Sequence, residues 1–303
     1  EAARSIVVPY NRSIVHVIPR SFVLDGQDGI KSAIGMHGYR LEVEAHIVTA
    51  STTALRNLEK CIEAAGIEVD GWVLGSLASA GVVLTETEQE MGVMLCDVGG
   101  GTTDIAIYIE GAVWHTAVIP VGGEHLTNDL AQVLHLPQET AESLKQRHGH
   151  ARPDVLDANQ TFAVRPFGEE QPLQVKQIDV ARVIEPRVEE LFSLVRQEVK
   201  RSGYDGLLPA GVVLTGGTSM LPGIREVASN VLQLPVRTAQ PENLLGLTDS
   251  LRSPAYAASL GLLYWAQRFE EADEIESYSY HGFTLPRLSL EKAAEFFKRL
   301  LPG

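Results

Sequence analysis

Residues 96–108 read CDVGGGTTDIAIY, and their three consecutive glycines interrupt an otherwise apolar stretch. The flanking runs, VMLCDV and IAIYI, are rich in β-branched and aliphatic residues, and each is too short for a typical helix. This pattern predicts two strands joined by a glycine turn. A dinucleotide-binding loop is disfavoured, because such a loop requires a helix after the turn.

The residue types of this hairpin suit the phosphates of a nucleotide. Glycine lets backbone N–H groups converge without a side chain in the way, and such a concave set of donors binds anionic oxygens. Asp97 suits the hydrated Mg²⁺ that accompanies a nucleotide tail. The candidate phosphate-binding residues are Gly99, Gly100, Gly101, Thr102 and Thr103. An isolated glycine triplet can equally form a plain tight turn, but the flanking aspartate and the paired threonines favour the phosphate interpretation.

A second glycine turn lies in residues 211–223, GVVLTGGTSMLPG. Here an apolar strand meets Gly216 and Gly217 before a helix that begins at Pro222. Taken alone, this motif is more often an ordinary connection between a strand and a helix. Two glycine turns, each at the end of an apolar strand, together indicate a ligand that carries phosphates.

The composition excludes some classes of protein. The 303 residues include 39 Asp and Glu against 25 Lys and Arg, a formal charge of -14 that argues against nucleic acid as a partner. The length indicates two lobes. Cys61 and Cys96 are the only cysteines, which suits reduced thiols of a cytosolic protein. The sequence contains no apolar run long enough to cross a bilayer.

Hydrophobic periodicity gives a coarse view of the secondary structure. It predicts strands at about 5–9, 14–24 and 40–49, a helix at about 52–65 and a long helix at about 179–203. The chain opens on Glu1 and runs directly into a strand-like pattern. We therefore expect it to be a fragment of a longer protein.

The C-terminal residues have a different composition. After Gln267 the chain becomes acidic and rich in Tyr and Ser, which is typical of a tether. The last segment, LEKAAEFFKRLLPG, predicts an amphipathic helix with a basic edge, which either docks on its own domain or lies in a membrane interface. The candidate membrane-binding residues are Leu290, Phe296, Phe297, Leu300 and Leu301, with Lys298 and Arg299.

The two glycine motifs resemble those of a known superfamily. CDVGGGTTDIAIY is similar to the second phosphate motif of the actin, sugar-kinase and heat-shock-chaperone ATPases, and GVVLTGGTSMLPG is similar to their adenosine motif. Three longer segments, VIPRSFVLDGQDGIKSAIGMHGYRLEVEAHIVTA, HTAVIPVGGEHLTNDLA and AESLKQRHG, resemble the FtsA family of bacterial cell-division proteins. The resemblance implies an α/β, actin-like (ribonuclease H-like) ATPase fold with the extra subdomain of that family, called 1C. The superfamily also has a first phosphate hairpin of Asp-x-Gly-Thr/Ser type, which this sequence lacks. We therefore expect this chain by itself to bind ATP poorly.

The resemblance also implies a division of the chain. The expected parts are a partial subdomain 1C at 1–48, part of the first ATPase lobe (1A) at 49–95, the second lobe (2A) at 96–136 and 211–267, subdomain 2B at 137–210, an acidic linker at 268–288 and a membrane-targeting helix at 289–303.

Site residues follow from the same resemblance. Asp97 and residues 99–103 would surround the terminal phosphates and the metal. Glu142 and Lys145 would reach the ribose and adenine, although such a pair is more often a solvated surface ion pair. The residues expected to close over the base are Gly216, Gly217, Thr218 and Met220. Gly122 and Gly123 would approach the phosphates, with an ordinary strand end as the alternative.

The implied function is that of an adaptor. Such a protein binds ATP and Mg²⁺, polymerises on the cytoplasmic face of the membrane at the division site, and holds the C-terminal tail of FtsZ. Gly75 and Ser76 stand where strongly hydrolytic relatives often carry Glu-Pro, so nucleotide is expected to act mainly as a conformational ligand, with at most weak ATPase activity. Subdomain 1C would contact other division proteins. A small-molecule kinase or a chaperone-type ATPase of the same fold is the alternative.

The FtsZ tail is expected at subdomain 2B. The long helix there carries cations that suit an acidic tail, although each is as well explained by a solvated helix face. These cations are Arg182, Arg187, Arg196, Lys200 and Arg201.

Overall fold

The computed structural model describes residues 5–168, 171–242 and 251–277, with side chains up to Gln267. Residues 1–265 form one unit, and the chain from Ala266 onward belongs to a second. The predicted membrane-targeting helix at 289–303 lies outside the described residues, as does the linker from 278.

The described residues form ten strands and eight helices. The strands are β1 (Arg12–Leu24), β2 (Gln27–Ile30), β3 (Leu41–Ser51), β4 (Val93–Val98), β5 (Thr103–Ile109), β6 (Ala112–Ile119), β7 (Thr161–Val164), β8 (Leu173–Lys176), β9 (Val212–Thr215) and β10 (Val236–Thr238). The helices are α1 (Thr52–Ala64), α2 (Gly75–Val83), α3 (Glu86–Met91), α4 (Gly123–Val133), α5 (Gln138–His148), α6 (Gln177–Ser202), α7 (Ile224–Leu232) and α8 (Ala257–Ser277).

The N-terminal part is a three-stranded antiparallel sheet in the order β2-β1-β3. Its long strands pair from Arg12 opposite Ser51 to Leu24 opposite Leu41. The predicted strand at 5–9 is wrong, because these residues form no strand in the described structure and Val7 is 94% exposed. Without a neighbouring strand, the β-branched pattern alone does not make a strand.

The central element is a five-stranded sheet in the order β10-β9-β4-β5-β6. Strands β4, β5 and β6 form an antiparallel meander, so the predicted glycine hairpin is confirmed. Strand β9 runs parallel to β4, with Thr215 opposite Asp97. The two glycine turns therefore leave neighbouring strands at the same edge of this sheet.

Both faces of this sheet are covered, which explains the continuous apolar run of β4. Met94 and Cys96 face a large cluster that includes the buried stripe of α6. Val93 and Leu95 face the opposite cluster, which includes α2. Burial raises the pKa of the Cys96 thiol, so this cysteine is an inert core residue.

Helix α6 is the longest element of the region expected to be subdomain 2B. Its buried residues recur every three or four positions, as predicted from the sequence, and it ends at Gly203 in the left-handed conformation. The hairpin β7–β8 and helix α5 complete this region. At the C-terminal end, α8 continues to Ser277 and so includes the first ten residues of the expected linker, because Glu and Ala there are good helix formers.

Candidate nucleotide-binding site

The carbonyl oxygen of Gly99 joins three turns. It accepts a hydrogen bond from the Gly123 N–H at 3.0 Å, at the start of α4, and another from the Thr218 hydroxyl at 2.9 Å. The neighbouring Gly100 carbonyl accepts the Glu124 N–H at 2.8 Å. The β4–β5 hairpin, the start of α4 and the Gly217–Met220 turn are therefore bonded to one another.

Close approach explains two of the glycines at this junction. A Cβ on Gly122 would lie 2.5 Å from the Gly100 oxygen and 2.7 Å from the Gly99 oxygen. Gly216 has a φ of +83°, and a Cβ there would collide with the carboxylate of Asp97. Any side chain at these positions would separate the turns or strain the backbone.

A cleft of about 1150 Å³ opens beside this junction. Its wall includes Gly100, Gly123, Glu142, Lys145, Gly217, Thr218 and Met220. The apolar side chains of Leu221, Pro222 and Ala255 line it as well. The cleft is slightly larger than most small-molecule sites, and it combines an apolar wall with a few convergent polar groups.

Asp97 lies at the end of β4, behind Gly216, and is only 9% exposed. Its carboxylate accepts a hydrogen bond from the Ser79 hydroxyl at 2.6 Å, and Asp104 stands directly opposite on β5. Burial raises the pKa of Asp97, the charge of Asp104 raises it further, and the Ser79 bond opposes both. Burial also raises the pKa of Asp104. A nearby cation would stabilise the ionised form of two such adjacent carboxyl groups.

Glu142 and Lys145 form a partly buried pair inside the cleft. The ammonium of Lys145 donates to the Glu142 carboxylate at 2.7 Å, the Thr127 hydroxyl at 2.8 Å and the Gly123 carbonyl at 3.0 Å. Burial alone would raise the pKa of Glu142, but hydrogen bonds from Lys145, Thr127 and Gln146 outweigh it, and the pKa is lowered. An ordinary surface ion pair does not describe this arrangement, because the Lys145 side chain is 13% exposed.

Other predicted site residues occupy supporting positions. Thr103 is buried, and its hydroxyl donates to the Val121 carbonyl at 2.8 Å, so it bonds the hairpin to the connection between β6 and α4. The Thr102 hydroxyl donates to Asp104 at 3.2 Å. The Gly122 N–H is donated to the His125 ring at 3.2 Å. Gly122 and Gly123 thus shape the junction, and their own N–H groups form hydrogen bonds within the chain.

The hairpin keeps donors for a ligand. Gly99 bonds the carbonyl of Thr102 within the turn at 2.9 Å. In the part of the chain that the structure describes, the N–H groups of Gly100 and Gly101 have no hydrogen-bond acceptor, and both residues are exposed. These groups suit the oxygens of a phosphate.

Sequence reasoning missed four residues at this site: Ser79, Asp104, Glu124 and Thr127. Asp104 carried a readable signal, because a four-residue turn at 99–102 places it opposite Asp97 in an antiparallel hairpin. Ser79 and Thr127 carried none, since their partners are distant in the sequence.

The chain matches a family model described as "Cell division protein FtsA" over residues 94–261 and one described as "SHS2 domain inserted in FTSA" over residues 1–49. It is 45% identical over 265 residues to the cell division protein FtsA of Pseudomonas aeruginosa, covering 88% of this chain and 64% of that protein. This chain belongs to the FtsA family. FtsA of Escherichia coli K12 is 37% identical over 281 residues, covering 90% of this chain and 67% of that protein. This FtsA-family chain thus spans about two thirds of the length of these relatives.

Solved structures show the actin-like ATPase fold of this FtsA-family chain. MreB5 of Spiroplasma citri bound to ADP superposes with a TM-score of 0.60 at 20% identity, covering 74% of this chain and 68% of that one. The PilM–PilN type IV pilus biogenesis complex gives a TM-score of 0.60 at 16% identity, covering 86% and 68%. At these identities the likeness concerns the fold alone.

Two further findings concern the described residues of this FtsA-family chain. None of their helices combines the length and the apolar character that a membrane span requires. Within the same residues, no group of three or more His, Cys, Asp or Glu side chains is placed to hold a metal ion by itself. A cation at Asp97 would therefore need further ligands, such as water and phosphate.

Proposed function

We propose that the chain is part of an ATP-binding, actin-like cell-division protein that polymerises at the cytoplasmic membrane and tethers FtsZ filaments to it. The observation that carries the nucleotide part is the junction at Gly99, where the hairpin and the Gly217–Met220 turn meet beside one cleft of about 1150 Å³. Membership of the FtsA family supports the role in cell division.

The residues present fit a nucleotide with a divalent ion. The free N–H groups of Gly100 and Gly101 would hold terminal phosphate oxygens, and Asp97 would hold water of the Mg²⁺ shell, which is the ion's usual mode of binding. Bound Mg²⁺ would neutralise part of the phosphate charge. Met220 and Gly217 would flank the base, and Glu142 would approach the ribose.

Nucleotide would act mainly as a conformational ligand. Ser76 lies near the start of α2, where the chain offers no carboxylate to position water, so hydrolysis would be slow. Because Thr218 and Gly123 both bond Gly99, a ligand that moves the hairpin would shift all three turns together.

Calorimetric titration of ATP and Mg²⁺ into the full-length protein tests the nucleotide proposal. Asp97→Ala should weaken ATP binding by about tenfold or more, equivalent to about 1.4 kcal/mol, because the ion loses its carboxylate partner. Asp205→Ala, which removes an exposed carboxylate far from the hairpin in sequence, is the control. Equal affinity of the wild type and Asp97→Ala would refute this assignment of the hairpin.

An acidic FtsZ tail would meet the exposed cations of α6 that are left unpaired. Arg182 bonds Asp179, Arg187 bonds Asp129 and Glu190, and Arg201 bonds Glu198. Within the described residues, Arg196 and Lys200 have no such partner and are exposed. We therefore expect Arg196→Glu to weaken binding of the FtsZ tail peptide more than Arg182→Glu does, as measured by fluorescence anisotropy.

Membrane attachment would come from residues 289–303. A single short helix binds a bilayer only marginally, and polymerisation would combine many such anchors. The test is co-sedimentation of the full-length protein with anionic liposomes, with and without these residues, at several protein concentrations. Loss of pelleting on deletion is expected, and equal pelleting of both proteins would remove the anchor proposal.

A further inference from the structure

The wall of the cleft carries more negative than positive charge, which by itself disfavours a polyphosphate ligand. Its ionisable side chains within the described residues are Glu124, Glu139, Glu142 and Lys145. An ammonium group has three donors, and those of Lys145 are all taken by Glu142, Thr127 and Gly123. No protein cation among these lining residues remains for the phosphates. A nucleoside triphosphate would therefore enter a cleft of its own sign of charge unless it brings a counter-ion.

Glu124 occupies the phosphate end of this cleft. Its N–H bonds the Gly100 carbonyl at 2.8 Å, which holds its backbone against the glycine turn. One carboxylate oxygen lies 3.8 Å from the position that a Cβ on Gly100 would occupy. Its side chain is exposed, and in the described part of the chain it has no hydrogen bond or ion pair.

Glu124 and Asp97 are both close to the glycine turn. Asp97 precedes the turn on β4, and Glu124 contacts it from the start of α4. Mg²⁺ usually keeps several waters and takes one or two carboxylates in addition to phosphate oxygens. Because the Glu124 carboxylate lies beside Gly100, an ion carried by a phosphate on Gly100 and Gly101 could take it as one of these carboxylates through water.

We propose that Glu124 is a second carboxylate, acting through water, for the divalent cation that accompanies a nucleoside triphosphate in this cleft. The inference rests on the proposed nucleotide function and assigns a residue to it. A purely structural role is the alternative, since an acidic residue in the first turn of a helix stabilises the helix dipole.

The two roles differ in their dependence on metal. ATP affinity of the full-length wild type and of Glu124→Gln is measured by calorimetry with Mg²⁺ and with EDTA. If Glu124 binds the hydrated ion, the variant should bind ATP about tenfold more weakly with Mg²⁺. With EDTA it should bind ATP as well as the wild type or better, because a negative charge has been removed from the phosphate end.

Glu139→Gln is the matched control, because it removes the same charge from another part of the cleft wall. Its ratio of affinities with Mg²⁺ and with EDTA should equal that of the wild type. An unchanged ratio in Glu124→Gln, which means the same effect with Mg²⁺ and with EDTA, would overturn the proposal and indicate a structural role. If the wild type binds no ATP in either condition, the proposed nucleotide function fails as well.

Discussion

At the scale of residues, the site depends on single hydroxyl groups that connect distant parts of the chain. Thr218 and Gly99 are 119 positions apart, and one hydrogen bond of 2.9 Å joins them. Neither residue could be paired with the other from the sequence, because no local pattern encodes a contact over that separation. The glycines of both turns could be interpreted from the sequence, because close approach of the backbone to a phosphate or to another backbone favours glycine.

Replacement of Thr218 should loosen the junction. Thr218→Val removes the donor to Gly99 while keeping the shape, so the free energy of unfolding should fall by about 1 kcal/mol. ATP affinity should fall with it, because the two turns are no longer held at a fixed distance. Thr218→Ser keeps the hydroxyl and should retain both properties. Urea denaturation and calorimetry measure the two effects, and identical behaviour of the Val and Ser variants would contradict the assignment.

His46 gives the stability a pH dependence. Burial, with smaller electrostatic contributions from Arg20 and His115, lowers its pKa from 6.5 to about 4. Between pH 6.5 and 4 the unfolded chain binds a proton that the folded chain does not, so stability should fall as the pH drops through this range. His46→Gln can still bond the Thr116 hydroxyl and should show a shallower decline in urea denaturation. An identical pH profile would argue against this role.

At the scale of elements, the sequence predicted the helices in which both the hydrophobic period and the residues at the ends are recognisable. Helix α1 begins after Ser51, whose hydroxyl accepts the Ala54 N–H, and α6 keeps its apolar stripe over 26 residues. The segment expected to be a strand at 5–9 had the right residue types, but in the part of the chain that the structure describes it forms no strand. The extension of α8 to Ser277 was missed because an acidic composition suggested a tether.

The stripe of α6 should dominate the stability of the region expected to be subdomain 2B. Leu191 is fully buried, so Leu191→Ala should lower the free energy of unfolding by about 2–5 kcal/mol. Arg196→Ala, on the exposed face of the same helix, should change it by less than about 0.5 kcal/mol. Thermal or urea unfolding of the two variants compares these values directly, and similar losses would show that the stripe is not the packed face.

At the scale of the whole molecule, the sheet order could not be derived from periodicity. Strand β9 joins β4 only after more than a hundred intervening residues, and nothing local specifies that pairing. The resemblance to the FtsA family implied an actin-like fold, but the pairing of β9 with β4 is known only from the structure. Nothing local in the sequence places the N-terminal sheet against the central sheet either. In the structure, Arg20 connects the two sheets. This guanidinium lies 5.3 Å from the Trp114 ring and bonds the Trp114 carbonyl.

Arg20 should therefore control how firmly the N-terminal sheet is held. Arg20→Met keeps an apolar stem but removes the bonds to Val113 and Trp114, so the free energy of unfolding should fall by about 1–3 kcal/mol. Limited proteolysis should cut within residues 12–51 earlier than in the wild type. Arg40→Met, at an exposed position immediately before β3, is the control. Equal proteolysis of the two variants would show that Arg20 is not the fastening point.

The two cysteines differ in accessibility, and this makes the native chain its own chemical reporter. Cys61 is exposed on α1, whereas Cys96 lies in β4 next to Asp97 and is fully buried. A maleimide dye should therefore attach at one known place without any engineered substitution. The slow rate of Cys96 alkylation would then measure how often β4, the strand that leads into the glycine hairpin, opens. A bound ligand that holds the hairpin in place would lower that rate.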